Sequence, residues 1–182
     1  MTIAGMDTST LTPSAAITLA EARSEHVPAM LDIYAVYVLT ALCTFEEVPP
    51  SLAEMHRRLD RLRRAGLPWL VALEGKEVVG YAYAGPYRTR SAYNGTVESS
   101  IYVSNRHHGK GLGKLLMNAL VEQCRAQGYS QMVAVIGDSG NLASIALHRK
   151  AGFQHIGTLA KVGRKFNCLV DTVLMQLSLK PE

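Results

Sequence analysis

The sequence predicts one mixed α/β domain: a central mixed, mostly antiparallel sheet flanked by helices on both faces. Three observations carry this. Two β-rich runs, residues 69–73 and 78–84, are separated only by Glu74-Gly75-Lys76-Glu77, the pattern of a tight antiparallel hairpin. An alternating run at 96–103 then leads through a glycine-rich loop into helical periodicity. Finally, 182 residues that are 48% hydrophobic and 19% charged suffice for one core, with no internal repeat or long linker to divide them.

Residues 1–15, rich in Ser and Thr, read as a flexible tail ahead of a single domain over 16–182. The apolar run 17–20 is a first strand, and Ser24 is placed to cap a helix with the stripe Val27, Met30, Leu31, Tyr34 and Val38. Ser51 and Glu54 stand at capping-box spacing before a second helix carrying Leu52, Met55, Leu59 and Leu62, stopped by Gly66. Its other side holds Arg57, Arg58, Arg61 and Arg64, read as a solvated face. After the hairpin and a polar linker, the strand 96–103 sets Val97, Ser99, Ile101 and Val103 on one face, and Glu98, Ser100 and Tyr102 on the other. The next helix carries Leu112, Leu115, Leu116, Ala119 and Leu120 and stops at Gly128. Residues 132–136 read as a buried central strand. Asn141 precedes a helix ending at Gly152, and 153–159 and 169–179 supply the last strands.

A net charge of +4 suits an anionic ligand but falls short of a nucleic-acid binder, whose aromatic interleaving the arginine helix also lacks. Cys43, Cys124 and Cys168 form no C-x-x-C pair, which points to a reducing compartment, the cytoplasm. No stretch approaches the ~20 apolar residues of a membrane span. The adjacent His107 and His108 diverge and have no third ligand at recognisable spacing, so no metal is expected. Cys124 has no histidine at helical spacing to activate it, which argues against a covalent cysteine intermediate.

Glycines ahead of a helix let the backbone approach an anion, and the unpaired N–H groups of the first turn favour phosphate there. A P-loop is excluded, because Leu115 follows Lys114 and His108 stands where the leading glycine belongs. A dinucleotide fingerprint is excluded too, because Leu116 stands three residues beyond Gly113 and hairpin strands precede the loop. His108, Gly111 and Gly113 do occupy the three defining positions of Q/R-x-x-G-x-G/A, His108 departing from Gln or Arg. With the order of elements from Trp69 to Leu179, these residues resemble the GNAT superfamily of N-acetyltransferases. Tyr83-Ala84-Gly85-Pro86, Ala92-Tyr93, Glu98-Ser99, Tyr102-Val103-Ser104, Val133-Ala134-Val135-Ile136-Gly137 and Leu147-His148 resemble its phosphinothricin and methionine sulfoximine (methionine sulfone) acetyltransferase branch. Leu169 stands where that branch commonly has Trp, in the segment from Gly163 and Lys165 to Asp171.

The resemblance implies the acyl-CoA N-acyltransferase fold, acetyl-CoA as cosubstrate, and a homodimer with its contact near Gly163 to Asp171. It implies that Ile101, Tyr102 and Val103 offer main-chain groups to the pantetheine arm, while His108, Gly109, Lys110, Gly111, Leu112, Gly113 and Lys114 surround the pyrophosphate. Asn141 is either a further cofactor contact or only an N-cap. An amine is protonated in water, so acetyl transfer from sulfur to nitrogen needs a base, donors for the thioester oxygen and an acid for the thiolate. Glu98 matches the branch's catalytic glutamate, and Tyr102 on the same face is packing. His148 either protonates the thiolate or packs against the cofactor arm. Arg88 and Arg90, with Tyr87, Tyr93 and Glu98, are the candidate substrate contacts, a guanidinium fork suiting an amino-acid carboxylate. Direct transfer to a small amino-acid-like amine is expected; transfer to a protein or peptide, or acyl-CoA binding without chemistry, are the alternatives.

Overall fold

The computed structural model describes residues 16–180, so the tail expected at 1–15 lies outside the described residues. The strands are β1 (Ile17–Glu21), β2 (Trp69–Glu74), β3 (Glu77–Pro86), β4 (Thr96–Val103), β5 (Gln131–Gly137), β6 (Gln154–Lys165) and β7 (Cys168–Ser178). The helices are α1 (Val27–Thr40), α2 (Leu52–Arg64), α3 (Leu112–Ala126) and α4 (Leu142–Lys150). All seven strands join one sheet in the order β1-β2-β3-β4-β5-β7-β6. Every neighbouring pair is antiparallel except β4 and β5. Among the described residues no helix is long and apolar enough to cross a membrane.

Helices cover both faces, as the sequence predicts. α3 lies against Gly80, where a Cβ would stand 3.3 Å from the side chains of both Leu112 and Leu116, so the missing side chain lets the helix settle on β3. α1 lies on the opposite face. There Tyr34 meets Tyr102 edge-on with ring centroids 4.8 Å apart, over an aromatic layer that continues through Tyr81 and Tyr83 to Trp69.

The sequence signals hold where the local chemistry is self-contained. Ser51 Oγ accepts the Glu54 N–H at 3.1 Å and starts α2. Gly66, Gly128 and Gly152 follow their helices with φ of 70°, 85° and 95°, where other residues would be strained.

Other expectations need correction. Ser24 caps nothing: residues 24–26 form one 3₁₀ turn in which His26 Nδ1 accepts the Arg23 N–H at 3.0 Å, and α1 starts at Val27 with Pro28 in its first turn. Ile33 rather than Leu31 completes its buried stripe. Leu52 and Leu115 are exposed, and Met117, Val121 and Cys124 complete the buried side of α3. β5 alternates instead of being buried throughout, and Val135 is exposed because part of the strand borders a cleft. β6 and β7 are longer than the hydrophobic pattern shows. They close through Phe166 and Asn167 at φ 49° and 61°, a mirror-image turn that suits strand twist, and β6 is irregular between Leu159 and Gly163. There Lys161, at φ 57°, donates its N–H to Asp171 Oδ1 at 2.8 Å, which holds the bulge.

Candidate active site

β4 and β5 pair only from Thr96 opposite Gln131 to Ser99 opposite Ala134, although both strands continue. β3 meanwhile stays paired with β4 as far as Val103. The two central strands therefore part beyond Ser99, and a cleft of about 530 Å³ opens between them, floored by the strands and walled by the glycine loop and α4.

Alternation decides which main-chain groups face this opening. The Ser104 N–H donates to Val79 O at 2.9 Å, so the amide groups of Tyr102 also turn to β3, and those of Ile101 and Val103 turn to the cleft. Tyr102 borders the cleft and packs its ring among Tyr34, Tyr37 and Tyr81. The Val103 carbonyl accepts from the Tyr37 hydroxyl and lies 3.0 Å from His108 Nε2, with Tyr37 Oη 2.8 Å from the same nitrogen. His108 thus ties the loop to α1 and β4. Its neighbour His107 goes elsewhere, Nε2 lying 3.1 Å from Glu74 Oε2.

At the other end of the loop Gly109 and Gly111 stand at φ 74° and 81°, and Gly111 is the N-cap of the 15-residue α3, with no side-chain cap. The first intrahelical bond is Leu115 N–H to Gly111 O, so the N–H groups ahead of it remain free to meet an anion. Gly113 lets α3 approach α4, since a Cβ there would stand 3.3 Å from Leu147. An uncapped helix N-terminus in line with a strand edge fits a ligand that is anionic at one end and carries amides along an arm. Gly109, Gly111, Leu112, Gly113 and Lys114 line the cleft; the exposed Lys110 does not.

Asn141 is an N-cap that also borders the cleft. Its Oδ1 accepts the Ser144 N–H at 3.2 Å as the N-cap of α4, and the residue borders the cleft. His148, also on the cleft, is buried, with Nδ1 2.8 Å from Ser144 O and its ring edge-on to Phe153. A carbonyl only accepts, so Nδ1 carries the proton and, in the neutral ring, Nε2 is an acceptor. Burial lowers the pKa and favours that neutral ring.

Glu98 does not line this cleft but stands beside it, next to Ser99, which does. In the register it lies opposite Gly85 of β3 and Val133 of β5. A Cβ on Gly85 would meet nothing within 4 Å, which leaves open space on the Glu98 face. Burial raises the Glu98 carboxyl pKa, and the Arg88 guanidinium partly opposes the rise. Arg88 also lies 4.8 Å from the centre of the Tyr87 ring, and Tyr87 meets Tyr93 edge-on at 5.7 Å. Arg88 and Arg90 are both exposed on this loop, and of the two only the Arg88 charge is felt at Glu98.

Four residues of this region escaped the sequence reading. Tyr37 sits one turn from Tyr34, a spacing that reads as packing. Cys43 lines the cleft. Glu46 holds Arg58 at 2.7 and 3.2 Å, so this arginine of the supposed solvated face turns inward while Arg61 and Arg64 stay exposed. Lys165 is buried. None of these carries a local motif. Cys124 lies in the buried side of α3, away from the cleft, where burial pushes its thiol up to about 12.

Comparison with known proteins follows the same lines. The family model described as the acetyltransferase (GNAT) family matches residues 33–153. The phosphinothricin N-acetyltransferase of Alcaligenes faecalis is 44% identical over 164 residues, covering 90% of this chain and 83% of that protein. The L-methionine sulfoximine/L-methionine sulfone acetyltransferase of Pseudomonas aeruginosa is 44% identical over 156 residues, covering 85% of this chain and 90% of that one. A crystal structure of a GNAT superfamily phosphinothricin acetyltransferase from Sinorhizobium meliloti in complex with AcCoA is 42% identical. It superposes with a TM-score of 0.86 over 89% of this chain and 88% of the other.

Proposed function

The chain belongs to the acetyltransferase (GNAT) family, and from that premise we propose that it acetylates the α-amine of small amino-acid-like substrates such as phosphinothricin, methionine sulfoximine or methionine sulfone. Acetyl-CoA is the cosubstrate and supplies an activated acetyl group as a thioester. The observation that carries the reading is the placement of a half-buried carboxyl, Glu98, beside the point where β4 and β5 part in front of the uncapped α3. The Ile101 and Val103 main chain and the N–H groups from Gly109 to Lys114 hold the cosubstrate. Glu98, directly or through one water, takes the proton of the substrate ammonium and frees its lone pair. The C–N bond then forms as the C–S bond breaks, and the amine's proton balances the departing thiolate. The Nδ1–H bond of His148 supports a packing and accepting role over that of an acid. Arg88, which lies over Tyr87 and whose charge acts on Glu98, binds the substrate carboxylate in this reading, with Arg90 and Tyr93 as further substrate contacts.

Turnover of acetyl-CoA with these three amino acids, their decarboxylated amines and a peptide tests the reading. The amino acids should turn over well and the decarboxylated amines poorly; equal use of the amines, or preference for the peptide, defeats it. Arg88→Ala should raise KM for the amino acids about 10- to 100-fold with a smaller change in kcat, the loss expected for charged hydrogen bonds made in ground and transition states alike.

The pH profile gives a second check. Glu98 must be deprotonated to act, so kcat/KM rises with pH through its pKa, and burial places that limb above the ordinary glutamate range. Removing the opposing charge with Arg88→Ala should move the limb to higher pH. A limb that stays where it was would take Arg88 out of the Glu98 environment.

We further propose a cytoplasmic homodimer built from one domain over residues 16–182. Ile156, Leu159, Val162, Phe166 and Leu169 are exposed apolar side chains on the β6–β7 hairpin, a surface suited to a second copy. Light scattering should give twice the chain mass; the chain mass alone at working concentration would overturn the dimer.

A further inference from the structure

We infer that Lys165 is a positioning residue for the acceptor side of the site, acting through the segment that joins α1 to α2; this rests on the function proposed above. Lys165 ends β6 and is 1% exposed. Its Nζ donates to the main-chain oxygens of Ala41 at 2.9 Å and Thr44 at 2.8 Å, more than 120 residues earlier in the chain. Burial works against its charge, while Cys43, Glu47 and Glu46 favour it. An ammonium withdrawn from water is costly, and here its bonds go to two carbonyls of one short irregular segment.

Three further contacts fix the same segment. A Cβ on Gly137, at the end of β5, would stand 2.6 Å from Leu42 O, so only glycine allows the approach. A Cβ on Gly163 of β6 would stand 2.0 Å from the Phe45 ring. The hydroxyls of Tyr34 and Thr44 are 2.9 Å apart. Held at these points, the segment turns Cys43 into the cleft and Glu46 onto Arg58. Tyr34, which holds Thr44, meets Tyr102 edge-on, and alternation along β4 sets Tyr102, Ser100 and Glu98 on the same face. The segment is therefore a wall covering the Glu98 face of the sheet at the edge of the cleft, the side on which the amine would enter under the function proposed above. Lys165 does not line the cleft, so its influence runs through that wall.

Lys165→Met keeps most of the side-chain volume and removes the donors. With the wall loosened, alkylation of Cys43 by iodoacetamide, compared as the limiting rate at high pH so that loss of the Lys165 charge beside the thiol does not count, should accelerate about tenfold while the buried Cys124 stays unreactive. KM for methionine sulfone should rise about tenfold with KM for acetyl-CoA within about twofold, a split that general loss of structure would not give. Cys43 reactivity at the wild-type rate overturns the inference, as does a methionine sulfone KM that is unaltered or rises only in step with that for acetyl-CoA. If wild-type enzyme is silent on methionine sulfone, the functional proposal fails and the alkylation rate alone decides on Lys165. If Lys165→Met does not fold, Gly163→Ala, which displaces Phe45 from the same wall, is judged by the same readouts and the same outcomes.

Discussion

Replacing Glu98 with Gln is expected to lower kcat by about 10²- to 10⁴-fold, roughly 3 to 5 kcal/mol of transition-state stabilisation. The amide keeps the size and polarity of the side chain but cannot accept a proton at neutral pH. Because Glu98 stands beside the cleft rather than in its lining, the affinity for acetyl-CoA should stay within about twofold. The acid limb of the pH profile should vanish with the carboxyl. Wild-type turnover in Glu98→Gln across a pH series would remove Glu98 from the mechanism.

Gly111→Asp should abolish acetyl-CoA binding. At a concentration near 100 times Kd, a ligand that binds only the folded state adds about 2.7 kcal/mol, which for a chain of this size corresponds to roughly 5 to 10 °C in Tm. The φ of 81° at Gly111 belongs to the left-handed region, which Asp tolerates better than most residues, and a Cβ there meets nothing within 4 Å, so the variant should fold. Its carboxylate, however, would stand at the N-terminus of α3 where phosphate oxygens must approach. A full thermal shift in Gly111→Asp would mean that the anionic end of the ligand lies elsewhere.

How much was legible in the sequence follows the range of the interactions concerned. The Ser51 cap, the Gly66 and Gly128 stops and the β2–β3 hairpin depend on neighbours within a few residues, and each stands where the pattern puts it. The glycine loop was legible for the same reason: Gly109, Gly111 and the α3 N-terminus are contiguous. Val135 misled because an apolar run does not reveal that its partner strand turns away after Ser99. The acceptor wall was out of reach altogether. No local pattern marks Lys165, which the fold sets against Ala41 and Thr44, and Arg58 reads as solvated until Glu46 arrives from the preceding segment. His148 could be named from its position, but its tautomer depends on the Ser144 carbonyl one helical turn away.

Acetyl transfer to nitrogen is tested most directly by giving the purified chain acetyl-CoA labelled in the acetyl group together with L-methionine sulfone, and locating the label. Label on the α-nitrogen of the amino acid, with one CoA thiol released per N-acetyl product, is the outcome expected from Glu98 beside the parted strands. Label that stays on acetyl-CoA, or comes to rest on a cysteine of the protein, with methionine sulfone and with each of the other α-amino acids would contradict it.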